Sequence, residues 1–96
     1  MPQLKLSQNA VANLAELDLP ATALDKLSKA FDLVCALPGA GQLSERAKEQ
    51  GKNIREKSVR VGKRGYSFLY YHDQNHDEII ILAIKAFRQN IFTIVD

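Results

Sequence analysis

The side chains best suited to chemistry in this sequence are cations. Arg46, Lys48, Lys52, Arg55, Lys57, Arg60, Lys63 and Arg64 crowd residues 46–64, opposed only by Glu49 and Glu56. A block of one sign attracts polyanions or an acidic protein through long-range electrostatics, and a solvated face kept soluble by charge is the plainer account of the same residues. Directly after it, Tyr66, Phe68 and Tyr70 fall on alternate positions. Rings interleaved with Arg60, Lys63 and Arg64 would suit base stacking with phosphate contacts. Packing of one strand face beneath helices explains the alternation equally well.

The other chemical groups are few. His72 and His76 stand four apart beside Asp73 and Asp77. These are metal-ligand types, but residues 73–77 read as a hairpin turn, where that spacing does not bring two imidazoles together. No metal ion and no cofactor is expected. Cys35 follows Phe31 by four positions on an apolar helical stripe, so its thiol should be buried, protonated and unreactive. Gly62, Lys63, Arg64 and Gly65 lack the length and the following helix of a phosphate-cradling loop.

Periodicity supplies the elements that must position these groups. Leu4 and Leu6 alternate with polar neighbours, as in a short strand. Val11, Leu14 and Ala15 recur at helical spacing over residues 9–17, and Pro20 requires that helix to have ended. Leu24, Leu27, Phe31, Val34 and Leu37 keep one stripe along a second helix. Its start is read from Thr22 and Asp25 at capping-box spacing and its end from Pro38 and Gly39. The short connection around Pro20 predicts an antiparallel helical hairpin. Residues 39–53 define no face and read as a loop.

From Ile54 the period is two. Ile54 and Glu56 lie in one phase and Val59 and Val61 in the other, which a bulge near Lys57 and Ser58 would reconcile. Gly62 and Gly65 mark a hairpin tip. Residues 79–84 are all apolar and read as a strand buried on both sides. Ile91, Phe92, Ile94 and Val95 make an apolar tail with nothing assigned beneath it. The order predicts an α+β domain: a short N-terminal strand, an α-helical hairpin, then an antiparallel three-stranded sheet with one basic face uncovered.

Composition is consistent with that class. The 96 residues make one domain, 1–96, and 46% apolar with 25% charged residues excludes disordered, collagenous and disulfide-rich classes. The net charge of +2 divides unevenly: five cations against six anions over residues 1–50, eight against five over residues 51–96. No apolar run reaches the roughly 18 residues of a spanning helix, and the N-terminus lacks a basic segment followed by an apolar one. A single cysteine cannot form an internal disulfide. A cytoplasmic location is expected.

Residues 60–71, with Gly62, Lys63 and Arg64 before Gly65 and Tyr66 and a strand running to Leu69 and Tyr70, resemble the hairpin of the ParE/RelE toxin superfamily of type II toxin–antitoxin systems. Asp73 and Asp77, the apolar run 79–84, and Lys85 and Arg88 occupy the places of that family's acidic turn, core strand and basic tail. The resemblance implies a bacterial growth-inhibiting toxin of the plasmid-stabilising kind, with a cognate antitoxin whose extended C-terminal segment wraps the helices and sheet. It also admits a homodimer within a toxin–antitoxin heterotetramer. Arg60, Lys63, Arg64, Tyr66, Lys85 and Arg88 are the implied target-binding residues. Leu14, Leu27, Phe31, Phe87, Ile91 and Phe92 are the implied antitoxin-binding residues.

Two mechanisms divide that family. ParE-like members poison DNA gyrase by protein contact; RelE-like members cut messenger RNA on the ribosome with clustered cations and a late tyrosine. RNA cleavage needs a base, cations for the phosphate and a proton donor. The arginine that usually follows the tyrosine in the RelE-like pattern is Ser67 here, no tyrosine follows Arg88, and Ala86 and Phe87 replace polar residues. The pattern at residues 65–70 leans toward the ParE-like branch. The expectation is therefore a non-enzymatic gyrase poison, with a ribosome-dependent endoribonuclease and a non-toxic antitoxin-binding homologue as alternatives.

Overall fold

The computed structural model describes residues 2–43, 53–89 and 92. Its elements are β1 (Gln3–Leu6), α1 (Gln8–Leu17), α2 (Ala21–Ala36), β2 (Gln42–Leu43), β3 (Arg55–Val61), β4 (Arg64–Asp73) and β5 (Glu78–Ala86). One sheet runs β1-β5-β4-β3-β2, with β1 parallel to β5 and the other neighbours antiparallel. The expected α+β class is what the chain adopts, with β3, β4 and β5 as the antiparallel three-stranded part. Beyond expectation, β1 joins one side and the two-residue β2 joins the other, inside the stretch read as loop.

α1 starts where Ser7, in extended conformation, accepts the Ala10 N–H on its Oγ, and it ends at Asp18 in the left-handed region. α2 starts differently from expectation. Pro20 is its N-cap, no side chain caps it, and the Pro20 carbonyl accepts the N–H groups of Ala23 and Leu24. Thr22 already lies inside the first turn, so the Thr22–Asp25 box has no place to form. α1 rests over β5 while α2 reaches across toward β3, and the two helices share one core on the same sheet face.

The core lies between these helices and one sheet face. Leu27, Phe31, Val34 and Cys35 of α2 meet Tyr66, Phe68 and Tyr70 of β4 and Ile79, Ile81 and Ile84 of β5. Phe31 and Phe68 pack edge to face with ring centres 4.9 Å apart, a favoured aromatic geometry. Leu24 and Leu37, at the margins of the helical stripe, remain exposed. Tyr70 is buried whole, its hydroxyl donating to the Pro38 carbonyl and accepting the Gly41 N–H, both at 2.8 Å. Burial pushes the Tyr70 hydroxyl's pKa up, and burial does the same to the Cys35 thiol.

The bulge is elsewhere than expected. β3 pairs with β4 in unbroken register, whereas Leu69 faces Ala83 and Tyr70 faces Ile81, leaving Leu82 as the extra residue of β5. That insertion flips the phase, so Ile79, Ile81, Ile84 and Ala86 all reach the helix-covered face from a run without polar residues. The Leu82 carbonyl accepts from Ser7 Oγ and Asn9 Nδ2, and the Ile84 N–H donates to buried Asn13 Oδ1. Polar groups of α1 thus satisfy β5 where β1 stops, which protects an otherwise open edge. The two phases of β3 are explained by two cores. Val59 and Val61 pack under the helices, while Ile54 joins Leu69 and Ala83 on the far face, packed by Tyr71, Leu82 and Phe92.

Candidate target-binding site

A two-residue turn joins β3 to β4, since Val61 pairs directly with Arg64. Gly62 takes φ +61 there, a conformation that disfavours any side chain. The pairing of Tyr66 with Ala86 then brings the end of β5 beside the start of β4. Together with the end of α1 these segments enclose a cleft of about 200 Å³, lined by Leu17, Asp18 and Pro20, by Lys63, Arg64, Gly65 and Tyr66, and by Ala86, Phe87 and Arg88. A larger recess of about 420 Å³ lies along β2 and β3, but Glu56 and Lys57 are the ionisable residues lining it. The smaller cleft is where cations converge.

Phe87 is held at its rim by the absence of a side chain at Gly65. A Cβ on Gly65 would fall against the Phe87 ring, and the Phe87 N–H donates to the Gly65 carbonyl at 2.9 Å. Arg60, paired with Gly65 across β3 and β4, has its guanidinium carbon 5.9 Å from the centre of that ring, within cation–π range.

The structure separates the target-binding residues implied by sequence. Lys63, Arg64 and Arg88 line the cleft and are exposed; exposed Arg60 reaches its rim through Phe87. Tyr66 is only 5% exposed and forms the floor. Lys85 is drawn away: its Nζ donates to the Gln89 carbonyl at 3.2 Å and lies 5.2 Å from the centre of the Phe92 ring. Of the earlier cations, Arg55 donates to the Gly41 carbonyl, and Arg46, Lys48 and Lys52 lie outside the described residues.

The antitoxin-binding set needs correction. Leu27 and Phe31, 1% and 6% exposed, are core residues against β4 and cannot also present a surface. Leu14 is partly buried on that core, and Phe92, the one described residue of the apolar tail, is partly buried on the far-face cluster. Phe87 is exposed; Ile91, Ile94 and Val95 lie outside the described residues. The far face is therefore less bare than expected. Ser67 on that face is 1% exposed and shares a 3.0 Å hydrogen bond with Ser58.

At the opposite end of β4, His76 Nδ1 lies 2.9 Å from Asp73 Oδ2 and His72 Nε2 lies 3.1 Å from Asp77 Oδ1. Asp73, His76 and Glu78 bring ligand atoms within 4.8 Å of one another, but Lys5 already pairs with Glu78 at 2.8 Å. The hydrogen bond from the His76 side chain, helped by the N–H groups of His76 and Asn75, holds the Asp73 carboxyl below its ordinary pKa. A depressed carboxylate pKa contributes stability above the unfolded value and loses it as pH falls through the folded one. His76→Ala is expected to move the Asp73 pKa upward toward ordinary values; a carboxyl-carbon NMR titration in which Asp73 stays put would refute this assignment.

Two helices on one face of a mostly antiparallel sheet, with a cationic cleft at one end, make a small α+β domain with a RelE-like fold. The structure is similar to that of a doubly arginine-to-alanine substituted toxin RelE from E. coli in the free state, with a TM-score of 0.66 and 16% identity, covering 86% of this chain and 80% of that one. No protein-family model and no curated protein matches the sequence.

Proposed function

We propose that this chain is the toxin of a type II toxin–antitoxin pair, acting in the cytoplasm by binding DNA gyrase and held inactive by a cognate antitoxin. The likeness to a RelE toxin supports the toxin half of this reading. The observation that carries the non-enzymatic half is Ser67. Where an RNA-cleaving member would present an arginine, a buried serine is bonded to Ser58. Among the described residues lining the cleft, Asp18 is the single carboxylate and no histidine is present, which leaves Lys63 and Tyr66 as the other groups there able to exchange a proton.

Cation convergence favours the second reading, a RelE-like endoribonuclease, because Lys63, Arg64 and Arg88 would suit a phosphate backbone. The cognate antitoxin would then cover the cleft or the exposed apolar residues of the helices, Val11, Leu24, Leu33 and Leu37. Purified protein is expected to block gyrase supercoiling or trap cleaved DNA, and to leave ribosome-bound messenger RNA intact in primer extension. Losing one transition-state donor typically costs on the order of a hundred- to a thousandfold in rate, so a nuclease without the Ser67-position cation should be nearly inactive. Transcripts cut in the ribosomal A site with gyrase untouched would make the second reading the correct one.

A further inference from the structure

We infer that Phe87 is the anchor of the target-binding cleft, entering an apolar pocket rimmed by carboxylates on a protein partner; this rests on the reading of the cleft as the toxin's target surface. Among the described residues Phe87 is the only exposed phenylalanine or tyrosine, at 41%. Leaving such a ring in water forfeits burial that the other described phenylalanine and tyrosine rings obtain wholly or in larger part. Yet the ring is not loose. Its backbone N–H is bonded to Gly65, its side chain fills the space Gly65 leaves empty, and the Arg60 guanidinium lies over it. A ring fixed in this way loses little conformational entropy on binding, which is what makes aromatic side chains effective anchors.

Charge identifies the partner. Arg60, Lys63, Arg64 and Arg88 surround the ring or line its cleft, with Asp18 the one carboxylate among the lining residues. A complementary protein surface would be acidic around an apolar centre. A nucleobase is the competing occupant, since bases stack on aromatic rings amid cations. It fits less well, because Arg60 already occupies a position over the ring, and Leu17, Pro20 and Ala86 give the rest of the cleft an apolar wall suited to side chains.

The test compares wild type, Phe87→Ala and Gly65→Ala for binding to the two purified gyrase subunits and to single-stranded poly(U), with circular dichroism and a thermal midpoint for each. Truncating an interface anchor is expected to weaken gyrase binding roughly thirtyfold or more while Phe87→Ala stays folded. Gly65→Ala should weaken it in the same direction by dislodging the ring. Wild-type binding that Phe87→Ala leaves unchanged overturns this inference alone. Phe87-dependent binding of poly(U) in place of gyrase overturns the protein partner, and a wild type that binds neither removes both the gyrase reading and the anchor assigned to it.

Discussion

Phe68→Ala is expected to destabilise the protein by about 3–5 kcal/mol, close to the whole stability of many domains, which is roughly 5–15 kcal/mol. Phe68 is fully buried and touches two rings, Phe31 edge to face at 4.9 Å and Tyr70 at 5.8 Å. The cost of a cavity depends on how far its walls can collapse. Here one wall is fixed, because Tyr70 is tied at its hydroxyl to both Pro38 and Gly41. Another is α2, whose buried positions include Ala23 and Ala30, too small to extend into the gap. Leu69→Ala on the far face should cost less, since its cluster is small and bordered by partly exposed Tyr71, Leu82 and Phe92. Urea denaturation would read both as shifts of midpoint at unchanged slope. A Phe68→Ala variant as stable as wild type would mean that the two-helix core is not what holds the sheet.

What was legible in the sequence was whatever depends on neighbours along the chain. Alternation of Tyr66, Phe68 and Tyr70 put them on one face, which the structure shows to be the covered one, and the spacing of Val11 and Leu14 located α1, although Val11 itself proved exposed. Illegible features depend on distant partners. β1 finds β5 more than seventy positions away, as Gln3 faces Glu78, and nothing local encodes that pairing. Leu82 is hidden as a bulge because an unbroken apolar run has no phase to lose. Asn13 did leave a signal: it lies three residues after Ala10 and four before Leu17 on the core-facing side of α1, where a polar residue needs a partner and has one in the Ile84 N–H.

The site was legible by type but not by assembly. A cationic block is visible in composition, yet only folding sorts its members, sending Arg55 to the Gly41 carbonyl and leaving Lys63 and Arg64 at the cleft. Arg88 joins them from 24 positions beyond Arg64 because β4 and β5 are paired through Tyr66 and Ala86. Phe87 on Gly65 could not be read at all: it is a contact between an aromatic ring and a missing side chain, one strand apart.

On the proposed toxin reading, replacing Lys63, Arg64 and Arg88 together by alanine should abolish growth inhibition while leaving the fold intact. All three are exposed, and exposed charges contribute only about 0–1 kcal/mol each to stability. Their intermolecular effect is larger, because a cluster of one sign beside a low-dielectric cleft raises association rates by about 10–10³. Removing three cations also takes the net charge from +2 to −1. The loss must therefore be separated from a change in overall charge. A matched variant with Lys26, Lys29 and Lys57 replaced has the same net charge and keeps the cleft. Lys29 gives up only an exposed pair with Asp25, so this control should remain folded and toxic. Induced expression, thermal midpoints and the salt dependence of gyrase binding would be compared. Wild type and control should bind more weakly as salt rises, and the cleft variant should show a flatter slope on top of its lower affinity. Full toxicity in the cleft variant, or equal loss in the control, would show that the convergence of Lys63, Arg64 and Arg88 is not the target surface.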